Sequence, residues 1–159
     1  MLTKLLPDQI ANFWDIIKYG IEQSLPPTVG EHPDKMNRIL SSLLSNKTQC
    51  WASYTRNEDK ATFEGIVLTQ LLYDDASFTK NLLLYCLYGY TDVDRQSWFK
   101  GIKALAKYAK SQGCSQIIAY TDVPYMIEKC RELGGEAKYT LCSFDVDKSV
   151  QILNSFSGE

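Results

Sequence analysis

The spacing of apolar residues along the chain changes near residue 50. Before it, apolar positions recur at helical intervals (i, i+3, i+4, i+7, i+11), which predicts an amphipathic helix with Asp8 as its N-cap. "LPPTVGEHP" then interrupts the chain, and Pro33 suits the first turn of a second amphipathic helix. The apolar residues of the two predicted helices are Ile10, Phe13, Trp14, Ile17 and Ile21, and then Met36, Ile39, Leu40 and Leu43. The chain is therefore predicted to open with two helices joined by a stiff loop.

From Cys50 the pattern becomes typical of strands. "CWASY", "TFEGIVLTQLLY" and "LLLYCLY" are strand-like segments separated by the polar runs "TRNEDKA" and "DDASFTKN", which predicts an antiparallel meander. A helix over residues 94–112 is predicted next, with Gly113 at its C′ position. Its apolar face comprises Trp98, Ile102, Leu105, Ala106 and Ala109.

The remaining pattern predicts strand, helix and strand again. "SQIIAYTD" is the predicted strand, Pro124 opens a short helix that Gly134-Gly135 ends, and "EAKYTLCSFDV" is the predicted last strand. The fold class is therefore α/β, with a mixed sheet made of the meander and two right-handed βαβ crossovers, flanked by helices. We expect one domain over residues 1–146 and a tail over residues 147–159, interpreted as a frayed helix. Strands that precede crossovers end at one edge of the sheet, where small-molecule sites form.

Composition narrows the possible partners. With 17 Lys and Arg against 19 Asp and Glu, the net charge of −2 argues against a general electrostatic grip on nucleic acid, although a local basic face stays open. The start "MLTKLLPDQI" does not resemble a signal peptide, and no run approaches the roughly 18 apolar residues of a membrane helix. We expect a cytoplasmic protein with no membrane partner.

The cysteines and the histidine suggest no metal or redox site. The five cysteines are widely spaced and contain no CxxC pair, so buried free thiols are predicted rather than disulfides or a zinc site. His32, the only histidine, lies before Pro33 in a loop and is predicted to have a helix-cap or surface role.

The order of elements, together with "LAKYAKSQGCSQIIAYTDVPYMIEKCRELGGEAKY", resembles the GNAT N-acetyltransferase superfamily. The likeness spans about Cys50 to Val146. It lies in a helix that ends in Ala-x-x-x-Gly, a strand, and a helix that ends in Leu-Gly before a final strand. The resemblance implies an acetyl-CoA-dependent enzyme whose pyrophosphate loop is (Arg/Gln)-x-x-Gly-x-(Gly/Ala), at the start of the helix after the fourth strand.

The positions of that loop fall here on Val93, Gln96 and Trp98, so the first is apolar and both glycine positions carry bulky side chains. Asp92 and Asp94 add negative charge where a diphosphate would lie. We therefore predict that this loop holds no cofactor. Trp98 either plugs the cofactor entrance or anchors its helix in the core.

The resemblance also suggests catalytic candidates. A family Tyr that protonates the leaving thiolate corresponds to Cys130, Glu64 lies where some members keep a general base, Asp122 could orient an amine, and Tyr88 could meet the acyl carbonyl or donate a proton. A structural role is the preferred interpretation for three of them: core packing for Cys130, a surface position for Glu64 and an N-cap for Asp122. For Tyr88, ring packing is at least an equal alternative.

A further likeness is to small phage-encoded GNAT-like proteins found among virion and DNA-packaging genes. It lies in "GYTDVDRQSW", "YAKSQGCSQI" and "SNKTQCWASY". The function predicted from it is a non-catalytic accessory or assembly protein that binds protein partners, in the host cytoplasm or the virion. The alternative is an N-acyltransferase that uses acetyl-CoA through a divergent loop.

Overall fold

A computed structural model describes residues 1–156, and the chain divides into two compact units, Met1–Tyr120 and Thr121–Glu159. The first unit contains, in chain order, β1 (Leu2–Lys4), α1 (Pro7–Asn12), α2 (Trp14–Ser24), α3 (Lys35–Leu44), β2 (Thr48–Asn57), β3 (Lys60–Asp74), β4 (Thr79–Gly89), α4 (Arg95–Ser111) and β5 (Gln116–Ala119). The second contains α5 (Pro124–Glu132) and α6 (Val146–Phe156).

The five strands form one mixed sheet in the order β1-β2-β3-β4-β5. The first four are antiparallel neighbours, and β5 pairs in parallel with β4 after the crossover through α4. Two register shifts interrupt the ladders: Glu64 is the extra residue on β3, and Tyr85 is the extra residue on β4. The predicted α/β class, with a meander followed by a parallel crossover, is confirmed.

Both faces of the sheet are buried, because consecutive strand residues point to opposite sides. Cys50 and Ala52 belong to a cluster that α1, α2 and α3 cover, whereas Trp51 between them packs with Leu105 and Ala109 of α4. The first cluster comprises Leu5, Ile10, Ile17, Ile21, Leu43, Cys50, Ala52, Phe63, Ile66, Leu68 and Cys86.

Helix α2 lies unusually close to the sheet at Gly20. A Cβ atom at this position would come within 2.6 Å of Tyr90 Oη and 2.7 Å of Ile66 Cδ1. The absence of a side chain therefore sets the distance between α2 and the strands beneath it.

The start of the chain differs from its prediction. The first helical stripe belongs to two helices, α1 and α2, because the backbone breaks at Phe13 with φ −107° and ψ 17°. The N-cap of α1 is Leu6, whose N–H donates to Gln9 Oε1 at 2.9 Å, so the prediction of Asp8 as N-cap is wrong. Strand β1 was not predicted, since three residues carry too little periodicity to recognise.

The helix predicted over residues 94–112 is confirmed as α4. Gly113 has φ +71°, the left-handed conformation that a C′ glycine supplies without steric cost. Leu105 and Ala109 are buried as predicted, whereas Ala106 is exposed, which places it off the packed face.

The predicted last strand is wrong. Residues 136–145 contain no strand, so within residues 1–156 the sheet has one crossover rather than two. Tyr139 and Phe144 are 90% and 81% exposed. Alternating apolar residues favour a strand, but a strand also needs a partner for its backbone hydrogen bonds, and residues 136–145 pair in no ladder of the described sheet. The predicted tail contains α6, and the boundary at residue 146 stays a prediction.

The five thiols do not share one environment. Cys50 and Cys86 are buried, Cys114 and Cys130 are half-buried, and Cys142 is exposed, so the prediction of buried thiols holds for the first two alone. None of the helices within residues 1–156 is long and apolar enough to cross a membrane.

Candidate functional site

The sheet is incomplete where β4 ends. Strand β5 pairs only with Asn81–Leu84, while β4 continues past the bulge at Tyr85 to Gly89. Within the described part of the chain, residues 85–89 therefore have β3 on one side and no strand on the other. Residues 90–94 then lead into α4. We call this loop and the first turn of α4 the joint.

The N-terminus of α4 is capped by a carboxylate of its own chain. Asp94 Oδ1 accepts the Ser97 N–H at 3.0 Å, and Asp94 Oδ2 accepts the Ser97 hydroxyl at 2.6 Å. These two hydrogen bonds lower the pKa of the Asp94 carboxyl below its usual value, and the bond from the Ser97 hydroxyl has the larger effect. The amides and partial positive charge that a helix start offers to an external anion thus already face an internal one.

Two glycines lie beside the joint, one at the end of β4 and one opposite it on β3. Gly65 and Gly89 face each other across β3 and β4, and a Cβ on Gly89 would lie 3.2 Å from the Thr91 carbonyl oxygen. A Cβ on Gly65 would lie 3.2 Å from the Tyr88 carbonyl oxygen. The space beside each glycine is therefore closed by the chain itself, so these glycines serve the turn.

Both glycine positions of the family loop carry side chains in this chain, and its first position is apolar. Val93 is 44% exposed, Gln96 is exposed and Trp98 is half-buried. The Trp98 Nε1–H is buried and has no acceptor among the described residues. One neutral donor does not offset the negative charge of Asp94.

Tyr88 belongs to an aromatic group at the end of β4. Its ring lies edge-on to Tyr19 of α2 (centroids 5.9 Å apart) and to Tyr90 (5.0 Å), so the predicted ring packing is confirmed. A hydrogen bond with the Tyr19 hydroxyl is the main cause that raises the pKa of Tyr88. Tyr90 donates its hydroxyl to the Ile16 carbonyl at 2.6 Å. A phenol with a raised pKa is a weaker proton donor, which reduces the value of Tyr88 as a catalytic acid.

Glu64 lies in the bulge of β3 and is tied into the sheet. The Ser53 hydroxyl donates to Glu64 Oε2 at 2.6 Å, and the Tyr90 N–H donates to the Glu64 carbonyl at 2.9 Å. Glu64 is half-buried, so the preferred interpretation of a surface residue is wrong. Within residues 1–156 no hydrogen bond joins Glu64 to Tyr88.

The other two candidates lie in the second unit. Asp122 is exposed, and the N-cap of α5 is Val123, so the preferred interpretation of Asp122 as that N-cap is wrong. The chain turns earlier, where the Val123 N–H donates to Thr121 Oγ1 at 3.1 Å. Cys130 is half-buried, and a Cβ on Gly135 would lie 2.5 Å from its sulfur, so Cys130 packs against the turn that follows α5.

His32 has the surface position that was one of its two predicted roles: it is exposed, its Nδ1 accepts the Asp34 N–H at 3.1 Å, and the N-cap of α3 is Asp34. In the part of the chain that the structure describes, no group of three or more His, Cys, Asp or Glu side chains is placed to hold a metal ion.

Sequence reasoning overlooked one charged feature of α4. The helix has no acidic residue and carries four exposed lysines, Lys100, Lys103, Lys107 and Lys110, which we call the lysine face. Their spacing of three, four and three residues places them along one side of the helix. That spacing is visible in the sequence, but a net charge of −2 summed over the whole chain conceals a local group of positive charges.

No protein-family model and no curated protein sequence matches the chain. Solved structures do. A ribosomal-protein-alanine N-acetyltransferase from Brucella melitensis biovar Abortus 2308 is 15% identical, with 91% of this chain and 99% of that chain covered and a TM-score of 0.61. The aminoglycoside acetyltransferase meta-AAC0020 from an uncultured soil metagenomic sample, in complex with sisomicin, is 17% identical, with 91% and 93% covered and a TM-score of 0.64.

A third neighbour, AAC(6')-Iy in complex with the bisubstrate analog CoA-S-monomethyl-acetylneamine, is 13% identical, with 91% and 96% covered and a TM-score of 0.64. At such identities the likeness establishes the fold and leaves activity open. The predicted resemblance is confirmed at that level: the chain adopts the GNAT acetyltransferase fold.

Proposed function

We propose that this protein keeps the GNAT fold without acetyltransferase activity and acts as an accessory or assembly protein that binds protein partners. The observation that carries the proposal is the Asp94 carboxylate on the first turn of α4. A diphosphate at this helix start would have to displace Asp94 from two hydrogen bonds and then remain close to its negative charge.

The side chains of the joint support the same conclusion. Where the resemblance implies glycines that let backbone amides close on phosphate, Gln96 and Trp98 project side chains. A ligand whose main anchor is its pyrophosphate loses both the backbone contacts and the favourable helix end.

Exposed apolar residues support protein partners. In the second unit, Tyr139 is 90%, Phe144 81%, Val146 73% and Phe156 80% exposed. Large apolar side chains with this much solvent exposure are more typical of interaction surfaces than of the rest of a protein surface. An origin in a virion or a packaging apparatus stays a prediction.

The alternative is an acyl-CoA-dependent N-acyltransferase, with Glu64 or Asp122 as base and Tyr88 or Cys130 as acid. It is favoured by the activities that the structural neighbours' names state and by the open edge of β4 at residues 85–89, which leaves space beside the sheet.

Thermal unfolding with acetyl-CoA separates the two. A ligand at one hundred times its Kd adds about 2.7 kcal/mol of stability, which is several degrees for a domain of this size. At millimolar acetyl-CoA we expect the melting temperature to stay within about one degree of its ligand-free value, which is the error of the method. Calorimetric titration with coenzyme A is the second measurement. A rise of several degrees that free coenzyme A reproduces would establish the alternative.

A further inference from the structure

The lysine face concentrates positive charge that the rest of the molecule does not neutralise. Lys100, Lys103, Lys107 and Lys110 are all exposed, and within residues 1–156 none of the four forms an ion pair. Lys100 and Lys110 are ten residues apart along the helix, which corresponds to about 15 Å. The whole chain is acidic at −2, so this is a local face of the kind that net charge conceals.

The chemistry of this face suits phosphate better than it suits protein. Lysine is depleted in the centres of protein interfaces, where aromatic residues, methionine and arginine supply the binding energy. Gln96 lies in line with the lysines, and the one large apolar residue beside Lys100 and Lys103, Phe99, is half-buried. A compact ammonium on a flexible stem is instead a common partner for phosphate oxygens.

The geometry favours a duplex over a single strand. Double-stranded DNA carries one charge per about 3.4 Å of its axis on each strand, so a straight row about 15 Å long can lie along about four phosphates of one strand. Single strands are held mainly by stacking of bases on exposed aromatic rings. The aromatic residue nearest the row, Phe99, is half-buried, and Arg95 lies over its ring.

We propose that the lysine face binds the phosphate backbone of double-stranded nucleic acid without regard to sequence. This reverses the expectation from net charge that nucleic acid is not a partner. It does not depend on whether the joint binds coenzyme A, because the lysines lie along the side of α4 and the joint lies at its start.

The probe is a fluorescein-labelled 24-base-pair DNA duplex of mixed sequence, and the readout is fluorescence anisotropy between 25 and 200 mM NaCl. Contact with about four phosphates predicts that log K falls against log [NaCl] with a slope of about −3 to −4. Lys103→Gln alone should make that slope shallower by about one.

A fourfold variant tests the location. Replacing Lys100, Lys103, Lys107 and Lys110 with Gln lowers the net charge by four, from −2 to −6, and should weaken binding at least about tenfold at 50 mM NaCl. The matched control replaces the exposed Lys47, Lys60, Lys138 and Lys148 with Gln for the same net charge, and should stay within about threefold of the native protein. Gln keeps a helix propensity close to that of Lys, and circular dichroism verifies the fold.

Four results would overturn the proposal. The first is no anisotropy change with the native protein at 25 mM NaCl, and the second is an equal loss in the two fourfold variants. The third is displacement of the duplex by oligoglutamate at equal charge concentration, which would indicate an acidic protein segment as the ligand. The fourth is displacement by millimolar coenzyme A, which would indicate a small phosphate ligand.

Discussion

The two units use their apolar residues in opposite ways. In residues 1–120 a sheet lies between two clusters, and Ile17, Ile21, Leu68 and Leu82 are each 0% exposed. In residues 121–156 the large apolar side chains of residues 139–156 are about half exposed or more, as Tyr139 and Phe144 illustrate. The difference predicts that most of the stability comes from the sheet unit, whereas the exposed apolar residues of the second unit are those on which the proposed partner binding rests.

Thiol chemistry should give the largest contrast between the units. Burial is the main cause that raises the pKa of Cys50 to about 12 and that of Cys86 to about 11. At pH 8 only about one Cys50 thiol in ten thousand is ionised, so Cys50 should react with a disulfide reagent at least about a thousandfold more slowly than the exposed Cys142.

Stopped-flow labelling at pH 8 measures this contrast, and Cys142→Ser should remove the fastest phase. Retention of that phase in Cys142→Ser, or rapid labelling of Cys86 in the folded protein, would contradict the assignment.

Core truncation should separate the units by free energy of unfolding. Leu68→Ala removes a side chain at the centre of β3 that is 0% exposed, and should cost about 2–5 kcal/mol. The matched control, Leu141→Ala at a side chain that is 51% exposed, should change the free energy of unfolding by less than about 0.5 kcal/mol. Urea titration followed by circular dichroism gives both values, and equal costs would erase the distinction.

Alkaline pH should weaken the sheet unit. Cys50 and Cys86 keep their protons in the folded state up to about pH 12 and 11, whereas an unfolded thiol releases its proton near 9. Because the folded-state pKa is raised, the stability is complete below pH 9 and is lost as pH rises above it, by about 1 kcal/mol per pH unit for each thiol. Urea titrations at pH 8, 9 and 10 measure this loss, and Cys50→Ala should flatten the slope. An unchanged slope in that variant would contradict the role of Cys50.

Asp94 should give the smallest effect on stability. Its pKa is lowered by the Ser97 hydrogen bonds, so its contribution is present at neutral pH and is lost as pH falls below the usual carboxyl range. Asp94→Ala should lower the melting temperature at pH 7 by less than Leu68→Ala does. Near pH 3 the melting temperatures of Asp94→Ala and the native protein should come closer together. Asp94→Ser, which keeps an N-cap oxygen without the charge, should restore most of the loss.

The same variant sharpens the proposed function. If the charge of Asp94 is what opposes coenzyme A, Asp94→Ser should bind it more tightly than the native protein in calorimetric titration. Equal absence of binding would place the obstacle in the side chains of Gln96 and Trp98.

The sequence predicted the elements whose signals are local. For helix α4 the sequence predicted its range, the Gly after its end and the apolar stripe apart from Ala106. The meander was likewise visible, because polar runs separate its strands. Errors arose where the local pattern does not decide the structure: residues 136–145 alternate like a strand yet form none, and the break at Phe13 interrupts a continuous helical stripe.

The candidate site was predicted as a location more than as a set of partners. The sequence placed Asp94 at the helix start, but its bonds to Ser97 depend on backbone geometry. Likewise, the pairing of Glu64 with Ser53 follows from the register of β2 and β3, where the bulge places Glu64 near that hydroxyl. Register is set by the whole sheet, so no short motif encodes it.

The packing of the aromatic group at the end of β4 depends on the missing side chain of Gly20 in α2. A side chain at this position would clash with the sheet, because a single added carbon would overlap Tyr90 Oη and Ile66 and force α2 away from the strands. The neighbouring Tyr19 would travel with that helix, and its ring would part from Tyr88. Gly20→Ala should therefore separate the Tyr19 and Tyr88 rings without changing any residue of the aromatic group.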